Sequence, residues 1–201
     1  MIRLAITGGI ATGKSTALQI LKELGCSVIS SDAIVQELML KDNNLKSKLK
    51  TTFNCVDENG VVDKKILGKI IFNDKIAKSK LEAMTHPLVH IVRKKFFQKC
   101  EAKGGQFAVC EIPLLFEKNL VAEFDYSILL IAGLDERIDR YILSGKGDQK
   151  KFFEITKNQM LDSEKKSKAD FVIKNNGTKL QLKEKLQSTL QEIKNRHNKG
   201  K

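Results

Sequence analysis

The chain reads as an α/β protein in which helices wrap a five-stranded parallel sheet. Two observations predict this class. First, short apolar runs of strand length recur at 2–7, 26–30, 106–112, 125–132 and 169–173, separated by stretches whose apolar residues keep helical spacing. That alternation is what builds β-α-β units and a parallel sheet. Second, Gly8-Gly9-Ile10-Ala11-Thr12-Gly13-Lys14-Ser15 fits G-x-x-x-x-G-K-[ST] and sits between the first strand and the first helix. In that context glycines bend the backbone round a phosphate and the following helix turns its positive end to it. A nucleoside triphosphate is the expected ligand, with Lys14 reaching its β- and γ-phosphates and Ser15 placed for Mg²⁺. A chain of 201 residues suits one domain with a substantial core and an inserted lobe.

The elements follow in order. Ala17, Leu18, Ile20, Leu21 and Leu24 mark the helix after the glycine loop, and Cys26-Ser27-Val28-Ile29-Ser30 a short strand. Ile34, Val35, Leu38 and Met39 restore helical spacing, so Ser31 or Asp32 is placed to cap that helix. Residues 41–62 are polar, with a turn at Asp57-Glu58-Asn59-Gly60. Helices then run from Asp63 through Phe72 and from Asn73-Asp74 through Met84, and His86-Pro87 marks entry to another that ends at Gly104-Gly105. Beyond the strand at 125–132, two polar helices fill 134–165, joined around Ser144-Gly145-Lys146-Gly147. Leu182, Leu186, Leu190 and Ile193 give the closing helix one apolar face, and 194–201 reads as a basic, frayed tail. These assignments divide one domain into a core (about 1–40, 104–133 and 168–196), a helical substrate lobe (about 41–103) and a lid (about 134–165).

Composition narrows the function. Lys and Arg number 36 against 24 Asp and Glu, a net charge of +12, which suits polyanions, nucleotides and nucleic acid alike. The lysines are spread along the chain, Trp is absent, and Phe96-Phe97 and Phe152-Phe153 fall in helical segments rather than in an exposed stacking pattern. No nucleic-acid partner is expected on that ground. Cys26, Cys55, Cys100 and Cys110 are far apart, without C-x-x-C or zinc-finger spacing, and a reduced, cytoplasmic setting follows as the default. There is no signal pattern, and no run approaches the roughly 18–20 apolar residues of a membrane span.

In open parallel sheets ligands gather at the strands' carboxyl ends. The loop at 8–15, Asp32, Glu111-Ile112-Pro113 and the turn at 133 all lie there, which predicts a common cleft. Asp32 is where a group that orients an acceptor hydroxyl belongs; the same carboxylate also suits a helix cap. Glu111 either holds a metal-bound water or a substrate group, or pairs with a buried basic side chain. Arg137 and Arg140, three apart on one helix face, suit a lid over the triphosphate or, beside Asp135, Glu136 and Asp139, plain solvation. His86 is either structural beside Pro87 or a substrate-phosphate contact. Two rivals stay open, a kinase for another small molecule and a nucleic-acid-stimulated ATPase.

Five segments together resemble the dephospho-coenzyme A kinase family. Thr7-Gly8-Gly9-Ile10-Ala11-Thr12-Gly13-Lys14-Ser15-Thr16 is similar to T-G-G-I-x-[ST]-G-K-S-T, and Ile29-Ser30-Ser31-Asp32 to the segment carrying the family's catalytic aspartate. Leu81-Glu82-Ala83-Met84-Thr85-His86-Pro87 resembles L-E-x-[IL]-x-H-P with Met84 for the branched residue. Glu111-Ile112-Pro113-Leu114-Leu115-Phe116-Glu117 resembles [DE]-[IV]-P-L-L-[FY]-E. Gln159 followed by Ala169-Asp170-Phe171-Val172-Ile173-Lys174-Asn175-Asn176-Gly177 matches Q and then A-D-x-V-I-x-N-x-G. The resemblance implies a P-loop kinase fold and transfer of the ATP γ-phosphoryl group to the ribose 3′-hydroxyl of dephospho-CoA, with Mg²⁺, by a monomer or weak homo-oligomer. It gives ATP to Ala11, Thr12, Gly13, Lys14, Ser15, Thr16, Arg140 and Asn175, and the acceptor to Asp32, His86, Glu111, Pro113 and Leu114. Catalysis would fall to Asp32, Lys14 and Arg140, and the metal to Ser15. One departure stands out: the lid motif Q-[IL]-x-R-L-x-x-R has Arg137 in place of its glutamine and Ser144 in place of its second arginine. Lys146, two residues on, is the candidate replacement for that charge.

Overall fold

The protein is described from a computed structural model that places residues 1–199, with the main chain alone at Asn73. Its centre is strand β1 (Ile2–Gly8), in which Leu4, Ala5, Ile6 and Thr7 are buried in succession. A strand covered on both faces has no solvent side, so apolar residues run on instead of alternating. Around it lie β2 (Ser27–Ser30), β3 (Phe107–Glu111), β4 (Tyr126–Ile131) and β5 (Phe171–Lys174), in the sheet order β2-β3-β1-β4-β5. The sheet is parallel: Ile2 to Ile6 pair with Phe107 to Glu111, Leu4 to Gly8 with Tyr126 to Leu130, and Ile128 to Ile131 with Phe171 to Lys174. β1 therefore delivers its last residue, Gly8, to the strands' carboxyl edge at the centre of the sheet, where such folds bind ligands.

Helix α1 (Lys14–Glu23) and the C-terminal helix α9 (Lys179–Lys199) pack on this sheet through Ile20, Leu21, Leu182, Leu186 and Ile193. The frayed tail expected from 194 onward is instead helical to Lys199. Its last turn is held to the sheet by the Arg196 guanidinium 4.7 Å over the Phe171 ring, and by an edge contact between His197 and Tyr126. The expected tail's remaining residues, Gly200 and Lys201, lie outside the described residues. Between β4 and β5 come α6 (Leu134–Leu143), α7 (Gln149–Thr156) and α8 (Asp162–Lys166). The sequence predicts two helices here; α8, little more than one turn, is too short for apolar periodicity to reveal.

Residues 30–98 form a second compact unit with its own core of Met39, Leu45, Leu49, Phe53, Val62, Leu67 and Leu81. It begins with α2 (Ser31–Lys41) and continues with α3 (Asn43–Phe53) and α4 (Lys64–Asn73). Helix α3 lies in the stretch read only as polar. It buries Leu45, Leu49 and Phe53, one residue per turn, and the Asp42 side chain caps it by accepting from the Leu45 N–H at 2.9 Å. The turn at 57–60 closes the Val56–Val62 bridge as expected.

One boundary is corrected. Pro87 does not start a helix; it lies inside α5 (Lys75–Ala102), continuous for 28 residues. Proline removes one ladder hydrogen bond, but the buried stripe Leu81, Thr85, Val89, Arg93, Phe97 runs past it every fourth residue, and Pro87 is on the exposed side. Burial of that face maintains the helix through the proline. All four cysteines are buried thiols outside any disulfide, in line with the reading of Cys26 and Cys110 as core residues. No helix among the described residues is long and apolar enough to cross a membrane.

Candidate active site

The glycine loop after β1 is held open by its own backbone. Gly13 has φ 94, a left-handed conformation that a side chain resists, and an added Cβ would strike Asn175 Nδ2. Ala11 also turns left-handed, at φ 58. The buried Thr12 hydroxyl donates to the Gly9 carbonyl at 3.0 Å, closing the turn from within. As the N-cap of α1, Gly13 brings no side chain to the first-turn amides, so the helix's positive end is open to an anion. Lys14 Nζ folds onto the Gly8 and Gly9 carbonyls, 2.9 Å from each. The ammonium is thus kept over the loop, where a phosphate would meet it. Ser15 and Thr16 are exposed on the first turn of α1.

Residues from β5 and α6 complete the loop's surroundings. Asn175, buried at the end of β5, donates from Nδ2 to the Thr12 carbonyl at 2.8 Å. Its own carbonyl accepts from Arg140 Nη2 at 2.9 Å. Arg140 Nη1 is buried with no hydrogen-bond partner. A buried guanidinium nitrogen left unsatisfied costs free energy unless a ligand completes it, so Nη1 is a donor that an anion could complete. Lys146 is exposed, and its carbonyl accepts the Tyr141 hydroxyl at 3.1 Å. Gly133 donates to Asn176 Oδ1 at 3.0 Å, tying the turn after β4 to the turn after β5.

Of the two readings of Arg137, a lid over the triphosphate or plain solvation, solvation fails. The residue is 6 % exposed, not solvated. Nε donates to the Ile10 carbonyl at 2.8 Å and Nη1 pairs with Asp162 at 3.1 Å, while its carbon centre lies 5.5 Å from the Phe152 ring centroid. Burial lowers the Arg137 pKa, and the Asp162 carboxylate opposes that shift.

At the end of β3, Glu111 is buried, and its side chain makes no hydrogen bond or ion pair with a described residue. The buried basic partner considered for it is not there. Pro113, two residues on, accepts the Thr7 hydroxyl at 3.4 Å, and Leu114 beside it is half-buried. Glu117 turns to the other helices: Oε1 lies 2.9 Å from the fully buried Lys165 Nζ and accepts from the Met160 N–H at 2.9 Å. Burial pushes the Glu117 carboxyl up, but Lys165 and the backbone amides outweigh it and hold the group below its ordinary value.

Asp32 and His86 belong to the second unit. The cap reading fails for Asp32: it stands in the first turn of α2, exposed, makes no cap bond, and pairs with no described residue. His86 is exposed on α5. Among the sequence-predicted residues, the structure thus joins the loop, Arg140 and Asn175 through direct hydrogen bonds. Arg137, singled out beside Arg140 in the sequence, is joined to the loop through the Ile10 carbonyl; the structure adds Gln159, Asp162, Glu117 and Lys165, of which only Gln159 and Glu117 lie in a motif.

Comparisons with known proteins identify the family. The sequence profile of the Dephospho-CoA kinase family matches residues 2–181. A dephospho-CoA kinase of Bartonella quintana is 38% identical over 170 residues, 85% of this chain and 87% of its own. Among solved structures, a Thermus thermophilus protein superposes with a TM-score of 0.83 at 29% identity, covering 96% of this chain and 97% of its own. The dephospho-CoA kinase from Campylobacter jejuni gives 0.69 at 30% identity, over 95% and 96%. With residues 2–181 matched by the family profile and a curated relative 38% identical over 85% of the chain, the chain belongs to the dephospho-CoA kinase family.

Proposed function

We propose that this enzyme transfers the γ-phosphoryl group of ATP to the 3′-hydroxyl of dephospho-CoA, the last step of CoA synthesis. The family match over residues 2–181 carries the reading. In it, the loop amides from Ala11 to Thr16 and Lys14 cradle the phosphates, and Arg140, held by Asn175, neutralises charge on the transferring group. Asp32 orients the acceptor hydroxyl and takes its proton; a carboxylate with no partner among the described residues supports that role. Glu111, Pro113, Leu114 and His86 are assigned to the acceptor.

A divalent ion fits these residues. No group of three or more His, Cys, Asp or Glu among the described residues can hold a metal. Mg²⁺ needs no such group, since it is commonly held by one or two protein oxygens with substrate phosphates and water. Ser15 on the exposed first turn is the hydroxyl we assign to it, and bound there the ion would neutralise phosphate charge. We place the enzyme in the cytoplasm, as a monomer or weak homo-oligomer acting without nucleic acid; four buried thiols outside any disulfide support a reducing compartment.

The test is ADP release with dephospho-CoA, with AMP or nucleosides, and with nucleic acid. Stimulation by dephospho-CoA alone is expected, and stimulation by any other acceptor instead would overturn the reading. Asp32→Asn should fold and bind ATP while kcat falls about 10²–10⁴-fold, the usual contribution of a positioned base. Near-normal kcat in that variant removes Asp32 from the mechanism.

A further inference from the structure

The tip of the glycine loop, Ile10, is gripped on both sides of its main chain. Its N–H donates to Gln159 Oε1 at 3.1 Å, and its carbonyl accepts from Arg137 Nε at 2.8 Å. Both partners come from the helical segment between β4 and β5, and Arg137 is fixed in turn by Asp162 at 3.1 Å. The guanidinium lies so close over Gly9 that an added Cβ there would strike Arg137 Nη2. Glycine at this position is not required by G-x-x-x-x-G-K; the close approach of Arg137 accounts for it. The arginine stands one helical turn from Arg140, yet their situations differ. Arg137 spends its charge on a carboxylate and its Nε on a loop carbonyl, whereas Arg140 keeps a buried nitrogen without a partner.

We infer that Arg137, braced by Asp162, is a positioning residue that holds the phosphate loop in its nucleotide-binding shape and does not itself contact the transferring phosphoryl group. By fixing the Ile10 carbonyl it points the peptide away from the anion, so that the amides that follow face inward before ATP arrives. Binding is then tighter because the loop's ordering is already done. The inference rests on the reading of this loop as the ATP site.

The test compares ATP Kd by calorimetry, kcat at saturating substrates, KM for dephospho-CoA and Tm. Arg137→Met should weaken ATP binding about tenfold, as loss of a charge-assisted hydrogen bond implies, with kcat and the dephospho-CoA KM within about twofold. Asp162→Asn, which touches no loop atom, should weaken ATP binding about threefold, and the double variant should be no worse than Arg137→Met alone. Arg137→Lys, which keeps the charge but not the guanidinium fork, should recover only part of the loss. An unchanged Kd in Arg137→Met or in Asp162→Asn overturns the inference, as does a hundredfold fall in saturating kcat. If Arg137→Met is too unstable to measure, Asp162→Asn decides on the same criterion. Lys14→Ala separates the two readings: retained ATP binding there overturns the loop assignment itself, whereas its loss beside an unaffected Arg137→Met overturns only the role given to Arg137.

Discussion

At the residue scale, two arginines three positions apart have opposite assignments because of what surrounds them. Arg137 is satisfied internally; Arg140 retains one buried nitrogen with no hydrogen-bond partner among the described residues. Arg140→Met should therefore lower kcat/KM for ATP by about 10²-fold or more, in the range found for removing one donor to developing charge, and Arg140→Lys should recover only part of it. Steady-state kinetics checks this, and a change below about threefold would sink the assignment. The same contrast explains what sequence reading reached and what it did not. Gly8, Gly13, Lys14 and Ser15 are legible because their chemistry is local: a strand, a turn and a helix end in sequence. Arg137 reads either as a lid arginine over the triphosphate or as a solvated one among acidic neighbours, since its partner Ile10 is 127 positions away. No periodicity carries that information.

At the element scale, the Glu117–Lys165 pair fastens α8 to the segment after β3. Lys165 is fully buried and Glu117 Oε2 is buried without a hydrogen-bond partner, so the pair is worth little unless intact, and removing one charge strands the other. Glu117→Gln should cost about 3–5 kcal/mol at neutral pH, as breaking buried pairs does, and thermal unfolding measures it. The pH dependence has a definite sign. The folded carboxyl lies below its ordinary value, so its contribution is present above the unfolded pKa of about 4.3 and is lost as pH falls through the folded one. The difference in Tm between wild type and Glu117→Gln should shrink on acidification below about pH 4; a gap that stays constant from neutral pH into that range contradicts the role given to the pair. Element existence was legible where the apolar signal is unbroken, in the continuous run of β1 and the single face of the closing helix. It was not legible in α3, where three buried residues in eleven sit among lysines, serine and threonines. Pro87 misled for the opposite reason: a local rule about helix starts was overruled by the buried stripe that crosses it.

For the molecule as a whole, the chain builds two cores rather than one. The sheet unit gathers its apolar residues around β1, α1 and α9, and residues 30–98 gather a separate cluster around α3. We propose that this second unit is the acceptor lobe, which makes its stability separable from nucleotide binding. Leu49 tests this. It is fully buried at the centre of the second cluster, and Leu49→Ala deletes three carbons that the surrounding helices can only partly fill, a loss of about 2–5 kcal/mol. If the units open independently, hydrogen exchange in Leu49→Ala should accelerate across α3 and α4 while amides of β1 and β4 keep their protection. ATP binding should then persist with turnover reduced. Equal acceleration in the sheet and in α3 would mean that the two cores unfold as one, and the lobe would not be a separate cooperative unit.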